Sequence, residues 1–213
     1  MPVNILLVVS KYKEDVSWIN SMTIPALVYD KFGRDSSNSL PNIGRETHTY
    51  LHHILSNYPL FPEYTVFLQG NPFPHLIEGM TPEKLEIVIN NYVAKKIFFR
   101  GLADYTIRCD LFGRPHNLEK NKEKWIGYSR DIPLGDIYKK LFSGSVPQSF
   151  HCRAPAGLFL VHSSRILCRS KMFYEKAMEL VIEDPLDEMN TGHAFERLWY
   201  IIFNGYLKIN KFL

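Results

Sequence analysis

The chain has 213 residues, 46% of them hydrophobic and 22% charged, with a formal net charge of +3. That composition excludes a disordered chain, and so small a charge excludes the broad basic face of a general nucleic-acid binder. The length suits one α/β domain over 1–213, able to bury a single core.

In chain order, Asn4 to Val9 is a continuous apolar run, as expected of a strand covered on both faces. It is too short to span a bilayer and carries no basic leader, so it reads as a first strand and no membrane span is expected. Ser10 to Asp15 is a polar loop leading to a helix around Val16 to Ser21. Ala26 to Tyr29 is a second short strand ending at Asp30 and Lys31, followed by a loop from Phe32 to Pro41. Pro41 to Ser56 has helical spacing, with Asn42 near its N-cap and Gly44 and Arg45 in its first turn. Thr65 to Leu68 is a buried strand halted at the polar turn Gln69-Gly70-Asn71, with His75 beyond it. Thr81 caps a helix that has Pro82 at its first position and runs to about Ala94, and Ile97 to Arg100 is a further strand. From Gly101 to Phe150 the pattern is irregular, with Asp104, Asp110, His116, Trp125 and Tyr128 scattered through it, as in active-site loops. Ala156 to His162 is the clearest late strand; a helix from Ser163 takes in Met172 to Ile182 and breaks at Glu183-Asp184-Pro185. Thr191 to Phe203 is a last helix, with Phe195, Leu198, Trp199 and Ile202 at helical spacing. Leu213 ends the chain without a clear stop signal, which leaves open a module of a longer protein.

Three cysteines, Cys109, Cys152 and Cys168, form no CxxC pair, so neither a disulfide framework nor a zinc knuckle is indicated. A reducing compartment, the cytoplasm, is the simpler home. The 14% aromatic content suits sites that stack rings. His48 and His52 stand four apart on a helix and could share a metal, but Thr49 occupies the place where a zinc protease has Glu, so surface or core histidines are preferred. Dinucleotide, P-loop and nucleophile-elbow motifs are absent. In an open α/β sheet, ligands bind beyond the carboxyl ends of the strands. Val9, Ser10, Lys11, Asp15, Tyr29, Asp30, Arg45, Gln69, Gly70 and Asn71 are expected along one such edge, where cations, acids and amides suit a nucleotide diphosphate. The bland alternatives are a surface turn at 69–71 and an Arg45 paired with a carboxylate.

Five segments carry a resemblance: Tyr29-Asp30, Asn42-Ile-Gly-Arg-Glu46, Phe67-Leu-Gln-Gly-Asn71, Ala156 to His162, and Phe195-Glu-Arg-Leu-Trp199. Taken together the chain resembles GT-A-type nucleotide-sugar glycosyltransferases, and among them those encoded by chlorella viruses. The resemblance implies a central mixed β-sheet flanked by helices. It further implies a UDP-sugar donor, Mn²⁺ or Mg²⁺, and transfer of a hexose or a deoxyhexose such as rhamnose to a glycan or glycoprotein acceptor. In the viral case the acceptor is a capsid glycoprotein and the setting the host cytoplasm. The family's Asp-x-Asp is Gln69-Gly70-Asn71 here, so Gln69 and Asn71 are the expected metal ligands, as neutral and weaker donors. A cation, Lys11, Arg45 or Arg153 would stabilise the leaving diphosphate, and Glu196 is the candidate base by its place in the pattern, with Asp110 and Asp104 as rivals. The missing Asp-x-Asp also leaves open an idle nucleotide- or glycan-binding module.

Overall fold

A computed structural model describes residues 3–33, 37–115 and 131–204. His116, Trp125 and Tyr128 lie outside the described residues. The frame is a five-stranded mixed sheet in the order β2-β1-β3-β7-β4. Its strands are β1 (Ile5–Lys11), β2 (Ala26–Asp30), β3 (Tyr64–Gln69), β4 (Phe99–Gly101) and β7 (Phe159–His162). β1 runs parallel to both β2 and β3, while β7 is antiparallel to β3 and to β4. The carboxyl ends of β1 to β4 and the start of β7 therefore meet at one edge. A separate antiparallel ribbon pairs β5 (Ile107–Cys109) with β6 (Phe150–Cys152).

Helices cover both faces, which is why the central strands read as unbroken apolar runs. On one face Val8, Phe67, Phe159 and Val161 pack against α1 (Arg45–Asn57), α5 (Lys171–Ile182) and α6 (Thr191–Asn204). On the other, Leu7, Val9, Val66, Leu68 and Leu160 pack against α2 (Pro82–Ala94). Among the described residues no helix is long and apolar enough to cross a membrane. Much of the aromatic content is core: Tyr50 packs on Phe67 at 4.8 Å between ring centroids, Phe67 on Phe159 at 5.0 Å, and Phe159 on Trp199 at 5.5 Å. Each such pair adds about 0.5–1.5 kcal/mol beyond the area it buries.

Four expected elements change. Val16 to Ser21 is a 3-10 helix, Ser17–Ser21, because Asp15 accepts from both the amide and the hydroxyl of Ser17 and closes a tight turn. α1 begins at Arg45, not near Asn42, since Gly44 takes the left-handed conformation (φ 55°) and turns the chain there. The Ser163 helix is two: α4 (Ser163–Ile166), then α5, whose first turn is capped by the Ser170 hydroxyl accepting from Phe173 N–H. The irregular stretch after Gly101 contains β5, α3 (Leu134–Leu141) and β6. Thr81 and Pro82 start α2 as expected.

Candidate functional site

Charged groups gather at the carboxyl edge in two places, on opposite sides of the sheet. Ser10 faces α1, where its hydroxyl meets that of Thr49 at 2.9 Å, so by strand alternation Lys11 faces the other way. There Lys11 Nζ pairs with Asp30 Oδ2 at 2.8 Å, about a quarter of each side chain remaining exposed (28% and 22%). Asp30 Oδ1 also accepts from the amides of Phe32 and Gly33. Despite the cost of partial burial, the backbone amides and Lys11 hold the Asp30 carboxyl at about 2. Asp15, its carboxylate spent on Ser17, sits near this tip. Tyr12 and Phe32 meet edge-to-face at 5.4 Å, with Lys13 over both rings.

The second place lies under the N-termini of α1 and α6. Lys31, only 7% exposed, donates through Nζ to the carbonyls of Ile43 and Arg45. Burial lowers its amine to about 8 against the opposing pull of Glu46. These bonds hold two successive left-handed residues, Gly44 (φ 55°) and Arg45 (φ 51°), so that Arg45 turns towards Asp187 (3.9 Å) and Glu46 (3.9 Å). Asp187, itself left-handed at φ 54°, accepts from Gly192 N–H at the start of α6 and lies 3.4 Å from His193 Nδ1. Ala156 (φ 57°) and Gly157 (φ 66°) bring the approach to β7 against Glu46: a Cβ on Gly157 would stand 3.2 Å from Glu46 Oε1. Glu196 lies 3.9 Å from Arg197 Nη1 and influences Glu46. Burial pushes the Glu46 carboxyl up and Glu196 adds to the rise, while Arg45 opposes it. Left-handed non-glycine residues cost about 1–3 kcal/mol each and gather where function over-determines the backbone. Arg45, Ala156 and Asp187 all border this cluster.

Other expected site residues fall elsewhere. Val9 is fully buried on the α2 face and both its backbone edges are paired, with Val28 and with Leu68, so it cannot touch a ligand. The Tyr29 hydroxyl is buried against His53 Nδ1 at 3.2 Å. Asp110 Oδ1 accepts from the amides of Phe112 and Arg114, shaping a turn, and Asp104 is exposed. Exposed Arg153 stacks on Tyr200 at 4.8 Å, two turns along α6 from His193 and hence away from Glu46. Gln69 Nε2 donates to Ala156 O at 2.7 Å, which fixes its amide beside Gly157. Gly70 O accepts from Trp18 Nε1, and a Cβ on Gly70 would meet Glu14 Oε2 at 2.8 Å. Asn71 is exposed. Gln69 and Asn71 offer a hard cation two neutral oxygens at most, and among the described residues no group of three or more His, Cys, Asp or Glu is arranged to hold a metal. By themselves these residues do not fit a resident divalent ion. His48 and His52 do share a face, their rings stacked at 6.4 Å, but burial holds His48 at about 4, as suits a neutral core imidazole.

Sequence reasoning missed Asp187 and His193 and gave Glu46 no role. The clue was the pair of opposite charges in the Gly44-Arg45-Glu46 turn, at the start of a helix whose buried face carries Tyr50, Leu51 and Ile54. Compared with known proteins, the chain matches a family of proteins of unknown function, DUF3431, over residues 6–210, and belongs to that family. No curated protein and no solved structure matches it.

Proposed function

We propose that this chain is a nucleotide-sugar glycosyltransferase that takes a UDP-sugar along the carboxyl edge of its sheet and passes the sugar to a glycan or glycoprotein acceptor. One observation carries the reading: at the edge where Gln69 bonds to Ala156, the buried Glu46 and His193, the largely covered Asp187 and Glu196, and the half-exposed Arg45 surround a strained backbone. A carboxylate in such a place can take a proton, and guanidinium and ammonium groups can meet a diphosphate. Arg45, with 47% of its side chain exposed, is the cation best placed to turn to a phosphate, exchanging two long 3.9 Å contacts for shorter bidentate ones. Any role for Mn²⁺ or Mg²⁺ would depend on the donor's diphosphate supplying the charged ligands that Gln69 and Asn71 lack.

The test is release of UDP from a panel of UDP-sugars by the full chain, with calorimetry of UDP binding alongside. Turnover that falls at least about tenfold in Arg45→Ala supports the reading, a loss of roughly one charge-assisted contact. Activity lost with EDTA supports the metal role, and full activity without a divalent ion removes it. A second reading, an idle binding module, is favoured by the pairing of Lys11 with Asp30 and of Arg45 with Asp187, which occupies both cations. UDP binding without turnover over many acceptors selects it.

A further inference from the structure

Resting on the transferase reading, we propose that Glu46, rather than Glu196, is the group that receives the proton of the acceptor hydroxyl. In that step the acceptor oxygen bonds to the anomeric carbon, the bond from that carbon to the β-phosphate oxygen breaks, and its electron pair leaves on the diphosphate. The acceptor proton passes to the Glu46 carboxylate.

Three observations separate the two carboxylates. Glu46 stands in the first turn of α1 directly over Gly157, where no side chain intervenes, and the neighbouring Ala156 carbonyl is held by Gln69 at 2.7 Å. It thus borders the strand ends along which the donor would lie. Glu196 sits one turn inside α6, and the Cys152 thiol donates to its backbone carbonyl. Secondly, the Tyr50 hydroxyl, on the same face of α1 one turn deeper, is fully buried and has no hydrogen-bond partner among the described residues. The Tyr50 ring edge and Glu46 Oε1 meet over the same point above Gly157, at 3.4 and 3.2 Å from its absent Cβ. A hydroxyl donor left open beside a carboxyl suits a site that receives a further hydroxyl group. Thirdly, the Glu46 carboxyl is raised chiefly by burial, and a base held closer to neutrality accepts a proton more effectively than an ordinary carboxylate. One tenth of the side chain stays accessible, so the group is sheltered without being sealed.

The experiment compares Glu46→Gln, Glu46→Asp and Glu196→Gln in the full chain, with UDP as binding probe and UDP release from UDP-sugars followed from pH 5 to 9. Glu46→Gln is expected to bind UDP within about threefold of the parent and to lose about 100-fold or more in turnover, the usual weight of a general base. It should also lose the rise of rate with pH on the acid side. Glu46→Asp, which keeps the carboxyl, recovers that limb at a lower rate and serves if the Gln variant does not fold. Glu196→Gln is expected to retain the limb, shifted in midpoint because one neighbouring negative charge is gone. Loss of the limb in Glu196→Gln with its retention in Glu46→Gln overturns the assignment and leaves the transferase reading intact. A parent chain that neither binds UDP nor releases it from any UDP-sugar overturns both.

Discussion

The two charged places at the carboxyl edge are made of the same residue types and behave as opposites. At the β1–β2 tip, Lys11 and Asp30 form a short ion pair in contact with solvent, with backbone amides to share the carboxylate. Beneath α1 and α6, the contacts of Arg45, Asp187 and Glu46 are longer, the acids are buried and the backbone is left-handed on three sides. Short bonds at an exposed tip contribute little to stability, whereas long ones in a buried cluster resist removal because each leaves a charge without compensation. The difference teaches that bond length alone does not rank these sites; burial and backbone strain set the one under α1 apart as the candidate site.

Acid should separate the two regions most strongly. Burial holds His48 and His53, on the α1 side, at about 4, below the ordinary 6.5. The unfolded chain therefore binds these protons first as pH falls. Stability is full above pH ~6.5, declines by up to ~1.4 kcal/mol per unit for each ring down to pH ~4, and is level below that. Asp30 is depressed from 3.8 to about 2, so its contribution is full above the ordinary carboxylate value, declines as pH falls below it and is gone once pH has fallen through about 2. Urea midpoints between pH 7 and 4 should fall in the parent and flatten in a His48→Gln, His53→Gln double variant; an unchanged slope breaks the comparison.

The turn that presents Arg45 and Glu46 should be nearly as sensitive. A Cβ at Gly44 would stand 2.0 Å from Val181 Cγ1 on a backbone of φ +55°. Gly44→Ala should cost about 2–4 kcal/mol through strain and overpacking together. Denaturant unfolding at pH 7 measures it, and a loss below about 0.5 kcal/mol, the scale of a neutral surface change, would mean that the turn relaxes freely. Asp187→Asn keeps a residue that tolerates φ 54° and removes only the charge shared with Arg45 and His193. It should cost about 1–3 kcal/mol by the same measurement, since the buried His193 is left without its carboxylate neighbour.

These positions also mark where the sequence was legible. Thr81 and Pro82 announced α2 through local chemistry, a cap and a fixed φ, and the runs Asn4 to Val9, Thr65 to Leu68 and Ala156 to His162 announced strands, the first as one covered on both faces. The ribbon of β5 and β6 was hidden because three-residue strands carry too few alternations to register a period, and their pairing joins residues more than forty positions apart. The strand-end residues Lys11, Asp30 and Gln69 were found by the rule that ligands meet carboxyl ends, but that rule does not say which face a side chain takes. Hence Lys11 and Arg45 were grouped although the sheet divides them. Asp187 drew no notice, because its role depends on Arg45 and His193 arriving from α1 and α6.

The smallest expected effect closes the comparison from the exposed side. Lys11→Met removes the tip's cation while keeping an unbranched stem, so Asp30 loses one of its partners but retains the amides of Phe32 and Gly33. An ion pair of this exposure is worth up to about 1 kcal/mol, and salt screens it over a Debye length of about 8 Å at physiological ionic strength. The variant should therefore lose no more than that at low salt, and the gap from the parent should shrink as sodium chloride is raised to 1 M in the same unfolding measurement. A salt-independent loss comparable to that of Asp187→Asn would mean that the tip is as tightly built as the cluster beneath α1. Strain and burial would then no longer distinguish the two, and the choice of the Glu46 side as the reacting end of the edge would lose its physical basis.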